Sequence, residues 1–288
     1  MVAKAQKADA PQPEEPKVPA VQTLNTGLTK LSEEELAELQ GVEGAGLTDS
    51  VEDRGTPLIY IAQRQTPQAE ERDAKYVKGL KPGMVFNNLT GRFWDAEHEG
   101  FPICPCFTRV SWDEWTPRDD GGGFHGSHPR NVDMKAMGAK NFVTKQGKVR
   151  RDVYTLPNGH ELKLTQKYYA VLPGDWTPVV IPMASVNLGV ATRLQALIGD
   201  QKAQVGNRVV IKPAFWQIYR LKTVYKTGEG NTSWFEYSVS ADGPNENAEL
   251  RKFCKAFAIA CQNNEIKESE PIKETSSGPD PKDKDIPI

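Results

Sequence analysis

Short runs of β-branched and aromatic residues dominate residues 51–264, and apolar and polar positions alternate within many of them. Glycine, proline or an Asn-Gly pair ends most runs, and these residues favour turns between paired strands. The pattern predicts strands at 57–62, 84–88, 101–115, 152–155, 161–172, 177–182, 215–225 and 233–241. The middle of the chain is therefore predicted to be one mainly β domain.

Helical spacing interrupts the β pattern twice. The first predicted helix covers 185–198, before a Gly-Asp stop, and the second covers 247–262, where apolar residues three or four positions apart form one stripe. A short helix is also predicted at 33–40, because Ser32 is placed as its N-cap and Glu35 completes a capping box. The fold class is therefore mainly β, of the α+β type.

The two ends of the chain differ in composition from the middle. Residues 1–22 are rich in Ala, Pro, Lys and Glu without an aromatic residue, so they cannot bury enough apolar surface to become ordered. We expect a mostly disordered acidic region with one short helix at 1–50, a folded domain at 51–264 and a disordered acidic tail at 265–288.

Several classes of protein are excluded by what the sequence lacks. No run of about 20 apolar residues could cross a membrane as a helix, and the first residues lack the apolar segment of a secretory signal. Four cysteines among 288 residues make no disulfide framework, so reduced thiols are expected. The sequence therefore predicts a cytoplasmic protein.

The formal net charge of −2 conceals a segregation of charge along the chain. Residues 73–230 carry 22 basic and 14 acidic side chains, whereas residues 1–72 carry 7 basic and 13 acidic ones. Residues 265–288 are acidic as well, with 4 basic and 7 acidic side chains. A basic middle between acidic ends favours nucleic-acid binding by the middle, although many globular domains carry such patches without a ligand.

Side chains alternate between the two faces of a strand, so the faces can be compared from sequence. Across 212–226 one predicted face carries Trp216, Arg220, Lys222 and Lys226. Cations attract a phosphate backbone and an aromatic ring stacks on any base. The alternative is a solvated sheet face with a tryptophan at its edge.

Two more predicted strands repeat this basic and aromatic combination, at 161–172 and at 101–118. The recurrence favours nucleic-acid binding, and no base-reading helical motif is present, which favours single strands over duplex. The candidate phosphate contacts are Arg109, Arg118, Lys163, Lys167, Arg220, Lys222 and Lys226, and the candidate stacking residues are Trp115, Tyr169 and Trp216.

Two other groups of residues suggest different chemistry. Cys104, Cys106, His125 and His128 are zinc-compatible ligand types, but the Cys-x-Cys spacing is shorter than in zinc knuckles, and the histidines could instead lie on a flexible loop at 119–129. The acidic residues between 113 and 120 could serve a metal-dependent nuclease, although their spacing fits no fixed pattern. No nucleophile motif or phosphate loop is present, so we expect a protein that is not an enzyme and needs no cofactor.

The last residues resemble a known recruitment motif. Asp285-Ile286-Pro287-Ile288 is similar to the acidic Asp-Ile-Pro-Phe tip of bacterial single-stranded-DNA-binding proteins, with isoleucine in place of the final phenylalanine. The resemblance implies that replication and recombination proteins bind this tail. The implied contact residues are Asp283, Asp285, Ile286, Pro287 and Ile288.

The folded part resembles phage proteins of replication modules. The stretches that carry the resemblance are 78–87, 103–118 with its Glu-Trp-Thr-Pro-Arg, 121–124, 182–197 and 215–239. It implies an OB-like antiparallel β-barrel, to which the patterns above add one interrupting helix, a C-terminal helix and disordered termini. It also implies sequence-independent binding of single-stranded DNA in phage DNA replication, recombination or repair. The alternatives are a structural or protein-interaction β domain of a phage, and the nuclease; a homo-oligomer is compatible with each.

Overall fold

Antiparallel strands are the main regular structure of the residues that the computed structural model describes, which are 32–33, 55–117, 120–143, 147–228 and 232–271. The strands in these ranges are β1 (Ile59–Ile61), β2 (Val85–Asn87), β3 (Phe93–Trp94), β4 (Phe101–Thr116), β5 (Gly123–Pro129), β6 (Lys140–Val143), β7 (Val149–Thr155), β8 (Glu161–Val171), β9 (Pro178–Ala184), β10 (Lys202–Val205), β11 (Arg208–Ile211), β12 (Gln217–Thr227) and β13 (Ser233–Pro244). The helices are α1 (Leu188–Gly199) and α2 (Ala248–Gln262).

Eight strands form one curled sheet shaped like half of a barrel. Its order is β13-β12-β4-β8-β7-β6, with β5 paired to β4 and β9 paired to β8. Strand β4 is 16 residues long and pairs with β12 near its start, with β8 along its length and with β5 near its end. Register shifts between Pro105 and Phe107 and between Glu114 and Trp115 interrupt these pairings, and such bulges bend a strand and increase its twist.

Two smaller sheets accompany the large one. Strands β1, β2 and β3 form a three-stranded sheet, and β10 and β11 form a hairpin that pairs with no other described strand. Gly206 begins the two-residue turn of this hairpin with a φ of 57°, as a type II′ turn requires.

The apolar side chains of β8 are buried on both faces of the sheet. Tyr168 packs into a core that contains β1, α1 and β12, and its hydroxyl donates to the carbonyl oxygen of Ala191 at 2.7 Å. Tyr169 packs on the opposite side against α2. The unbroken apolar run at the end of β8 therefore reflects a strand covered on both faces.

Helix α2 packs its predicted stripe against the sheet. Leu250, Cys254, Phe257 and Cys261 are buried there, beside Cys104 and Val171 among others. The helix begins at Asn247, whose side-chain oxygen accepts from two backbone N–H groups of the first turn at 3.1 Å, as an N-cap does.

The mainly β prediction with two helices is confirmed, and several boundaries change. Phe215 and Trp216 lie in a 3-10 turn before β12 rather than in the strand. The region expected as a flexible loop at 119–129 contains β5, and the hairpin β10–β11 was not predicted. The predictions for 1–31, for the helix at 33–40 beyond Glu33, and for 272–288 concern residues outside the described ranges.

No helix in the described ranges is long and apolar enough to cross a membrane.

Candidate nucleic-acid interface

The exposed side of β12 carries the predicted row of cations. Tyr219, Leu221 and Thr223 are buried, whereas Lys222 and Lys226 on the other side are exposed. Arg220 lies on the same side and is partly exposed. We call Trp216, Arg220, Lys222 and Lys226 the β12 face. Its three cations lie two and four residues apart, with Val224 at the alternate position between Lys222 and Lys226.

Strand β13 completes this surface. Ser240, Ser238 and Trp234 lie directly opposite Arg220, Lys222 and Lys226 in the strand register. Directly opposite residues of an antiparallel pair share a face. The β12 face therefore has a tryptophan near each end, because Trp216 precedes the strand and Trp234 neighbours its last cation. Trp234 was not predicted from the sequence, although alternation along 233–241 places it on the same face as Ser238 and Ser240.

Two cations of the β12 face have carboxylate partners that are partly open to solvent. Arg220 pairs with Asp242 at 2.5 Å and donates to the backbone of Glu99, and Lys226 lies 3.4 Å from Glu236. Exposed ion pairs contribute little free energy, so an incoming phosphate can compete for these cations.

Trp216 offers a partly open ring. Its side chain is 48 % exposed, and the guanidinium of Arg251 on α2 lies 5.6 Å from the ring centroid. The backbone of the 3-10 turn is fixed by Asn245, whose N–H donates to the Trp216 carbonyl at 2.8 Å. An aromatic ring held in this way beside a cation can stack on a base.

The predicted basic strands do share one side of the large sheet. The register places Arg220 opposite Pro102, Cys104 opposite Val171, and Arg109 opposite Lys167. Helix α2 packs on the middle of this side, over Cys104 and Val171. The β12 face and the basic positions of β8 are therefore not one continuous surface.

Two predicted contacts on β8 are corrected by their burial. Lys167 is 4 % exposed and Tyr169 is fully buried, so neither presents its side chain to a nucleic acid in this structure. The Lys167 ammonium lies 2.8 Å from Glu268 and 3.4 Å from Asp113 and donates to Ser127. The Tyr169 hydroxyl donates to Glu268, and its burial beside that carboxylate raises the pKa of Tyr169. These residues, Asp113, Ser127, Lys167, Tyr169 and Glu268, form the Lys167 cluster.

Arg109 has a structural position as well. Its guanidinium donates to the carbonyl oxygen of Cys261 at 3.2 Å and to the side chain of Asn264 at 2.7 Å. A cation at a helix C-terminus satisfies free carbonyl groups and complements the helix dipole. The predicted phosphate contact is thus engaged in holding the end of α2.

The remaining predicted residues of β4 and β8 line a groove. It has a volume of about 760 Å³, and both Trp115 and Lys163 border it. The Trp115 ring packs 5.2 Å from that of Phe124, and Lys163 pairs with Glu161 at 3.0 Å. The charged residues that line the groove are Arg150, Lys163, Lys167, Asp113, Glu161 and Glu268, so its charges balance. A balanced groove has no general attraction for a polyanion.

The zinc hypothesis is not supported by the positions of its four residues. His125 and His128 lie on β5, beside the end of β4, whereas Cys104 and Cys106 lie near its start. Burial and the neighbouring Cys254 sulfur raise the pKa of the Cys106 thiol. In the described part of the chain, no three acidic, histidine or cysteine side chains are grouped to hold a metal ion.

Glu114 instead joins two histidines. Its carboxylate oxygens lie 2.7 Å from His128 Nε2 and 2.7 Å from His160 Nδ1, and the His160 ring stacks on His125. Burial raises the pKa of Glu114, but the hydrogen bonds from His160 and His128 outweigh it and hold that pKa below its usual value. Asp113 points to the other side of the strand, so the two neighbouring carboxylates do not form the pair that the nuclease hypothesis requires.

Six predicted site residues lie outside the described ranges: Arg118, Asp283, Asp285, Ile286, Pro287 and Ile288.

Comparison with known proteins places the chain in a phage family. No curated protein and no solved structure matches it. The family model of the Pam3 phage gp34-like protein matches residues 26–267, which include every described strand and helix named above. The chain therefore belongs to the Pam3 phage gp34-like protein family.

Proposed function

We propose that this phage protein binds single-stranded DNA without sequence preference, through the β12 face, and is not an enzyme. It would act in the host cytoplasm during phage DNA replication, recombination or repair. The observation that carries the proposal is the row of Arg220, Lys222 and Lys226 beside the exposed ring of Trp216.

The spacing of this row suits an extended strand of nucleic acid. Arg220 and Lys222 are two residues apart, which is about 7 Å along a strand, and Lys226 follows four residues later. Each cation that neutralises a phosphate releases bound counterions, which makes the affinity depend on salt but not on base sequence. Trp216 adds stacking, which every base can accept.

The proposed surface is smaller than the one predicted from sequence. Arg109, Lys167 and Tyr169 are excluded because they are engaged with α2 and Glu268. Lys163 and Trp115 lie on the groove, where the charges balance. The β12 face thus becomes the site to test first.

Charge reversal on the β12 face tests the proposal. Binding of labelled oligo-dT is measured by fluorescence anisotropy over a salt series for the wild type, Lys222→Glu and the control Lys140→Glu. Lys140 is an exposed strand lysine on β6, at the other end of the sheet order, and its reversal changes the net charge equally. We expect roughly tenfold weaker binding for Lys222→Glu, a salt slope reduced by about 1, and no change for the control.

Stacking is tested with the same assay. Trp216→Ala should weaken binding by about 5- to 150-fold, which corresponds to ~1–3 kcal/mol per stacked base, and alike for dT, dA and dC oligomers. Wild-type protein that shows no salt-dependent binding, or equal losses for Lys222→Glu and Lys140→Glu, would refute the proposed function.

A further inference from the structure

The hairpin of β10 and β11 exposes apolar side chains that nothing in the described part of the chain covers. Every residue from Gln204 to Ile211 is exposed, and we call Lys202–Ile211 the hairpin arm. The exposed fractions of its large apolar side chains are 62 % for Val205, 71 % for Val209, 40 % for Val210 and 60 % for Ile211.

These apolar side chains occupy both faces of the arm. The register pairs Val210 with Ala203 and Val209 with Gln204, so Val205 and Val210 share one face while Val209 and Ile211 share the other. An isolated two-stranded hairpin is only marginally stable in water. Two exposed apolar faces on such a hairpin indicate a surface that is completed by a binding partner.

The charge of the arm selects the partner. Residues 201–213 contain Lys202, Arg208 and Lys212 and no acidic residue. Three cations within 13 residues, without a carboxylate among them, complement a polyanion.

The arm is also continuous with the β12 face. The Lys212 N–H donates to the carbonyl of Gln201 at 2.6 Å and closes the base of the hairpin. The 3-10 turn that follows, Ala214–Trp216, carries the exposed ring of the β12 face. The arm is therefore joined along the chain to the turn that carries Trp216.

The size of the arm argues against a second copy of the chain as its partner. A specific protein–protein interface buries roughly 1,200 Å² or more in total. Four short apolar side chains on two strands of four residues each do not supply such an interface by themselves. The same area is sufficient as a supplement to a larger electrostatic contact.

The geometry points to the hairpin arm as a second contact for single-stranded DNA, which depends on the proposed function of the β12 face. The DNA strand passes around the arm, so that it meets Arg208 beside Val205 and Val210 on one face and Lys202 beside Val209 and Ile211 on the other. The cations bind phosphates, as does Lys212 at the base of the arm, while the apolar side chains lie against sugars and bases. Apolar side chains contact bases in this way in several DNA-binding proteins.

Two arm variants and two matched controls test this contact. Arg208→Glu is compared with Lys140→Glu, and Val209→Ser is compared with Leu89→Ser, which removes another exposed apolar side chain, 56 % exposed and outside the arm. We expect each arm variant to bind oligo-dT about five- to tenfold more weakly, mainly through faster dissociation, and each control to bind as the wild type does. Circular dichroism establishes that all four variants remain folded.

A reporter separates the arm from the rest of the molecule. In Val209→Trp, the emission of the new indole, taken as the difference from wild type, should change on addition of oligo-dT. Unchanged binding by both arm variants, while Trp216→Ala binds weakly, would overturn the arm contact and leave the proposed function standing. Absence of binding by the wild type would overturn both. A change of sedimentation mass in the arm variants at unchanged DNA affinity would identify the arm as a self-association surface and also overturn the inference.

Discussion

Lys167 shows how a side chain predicted at a surface can become part of the core. Its ammonium lies between the carboxylates of Asp113 and Glu268 and is 4 % exposed. Removing a charge from water is costly, and the cost is offset only where opposite charges and hydrogen bonds surround it. Ser127 accepts a hydrogen bond from the ammonium, and Tyr169 donates one to the carboxylate of Glu268.

Replacing this lysine should destabilise the fold strongly. Lys167→Met leaves two carboxylates near each other without a cation, so we expect a loss of about 3–5 kcal/mol in the free energy of unfolding. Chemical denaturation measures this loss. The exposed control Lys140→Met should have a free energy of unfolding within about 0.5 kcal/mol of the wild type. The double variant with Glu268→Gln should recover part of the loss. A Lys167→Met protein as stable as the control would show that the cluster contributes nothing.

Glu114 predicts a dependence of stability on pH. Its folded pKa is lower than its unfolded one, so the ionised carboxylate stabilises the fold above the ordinary pKa of 4.5, and this contribution is lost as the pH falls through the folded pKa. Glu114→Gln should therefore reduce the free energy of unfolding by about 1–2 kcal/mol at neutral pH, where two hydrogen bonds to a charge are weakened. The difference from wild type should shrink below pH 4.5.

The measurement is denaturation at a series of pH values. Glu97→Gln, an exposed glutamate in the loop before β4, is the control and should track the wild type. A difference for Glu114→Gln that stays constant down to low pH would show that the carboxylate charge plays no part.

At the scale of the element, the sequence pattern predicted those helices and strands that bury a single face. The stripe of α2 and the alternation of β12 are visible in the sequence because each element buries one face only. The hairpin arm was missed because Val209, Val210 and Ile211 follow one another without alternation, and this reflects two exposed apolar faces. The Gly-Asn pair at its turn was the available signal.

The candidate site was predicted in part for the same reason. Arg220, Lys222 and Lys226 could be assigned to one exposed side from the strand alone. The burial of Tyr169 and Lys167 could not be predicted from the strand alone, because α2 and Glu268 produce it. Glu268 is 101 residues from Lys167 in the chain. Alternation identifies the side of a strand, whereas distant segments decide whether that side is covered.

At the scale of the whole molecule, the basic surplus of the middle segment is largely local. The cations of the groove face acidic neighbours, as do those of the Lys167 cluster. Unbalanced positive charge remains on the hairpin arm, which lacks acidic residues. It also remains on the β12 face, which carries three cations beside two carboxylates. A net charge near zero is thus compatible with a polyanion site on one part of the surface.

The acidic tail gives the prediction that concerns the full chain. If residues 281–288 recruit replication proteins, their deletion should abolish capture of such a partner while oligo-dT affinity stays equal or rises, because the segment's two lysines and two aspartates balance and its removal takes no cation from the β12 face. Pull-down from host extract measures capture of the partner, and anisotropy measures the affinity for oligo-dT. The control for charge is a tail in which Ile286 and Ile288 are changed to Ser while its two aspartates and two lysines are retained. Loss of DNA binding on deletion would contradict this assignment.

Glu268 of the Lys167 cluster also forms a β-bridge with Thr56, which has a mechanical consequence. These residues pair in parallel, with hydrogen bonds of 2.7 Å and 2.9 Å between the two segments, while Glu268 is held by Lys167. Tension applied to the chain before residue 55 and after residue 271 pulls two parallel segments in opposite directions, so it loads these bonds together in shear rather than one after another. Forced unfolding is governed by the unfolding rate. Because these bonds must break together, this geometry slows the unfolding of the sheet under tension. A partner pulling on the tail would load this bridge before it loads α2.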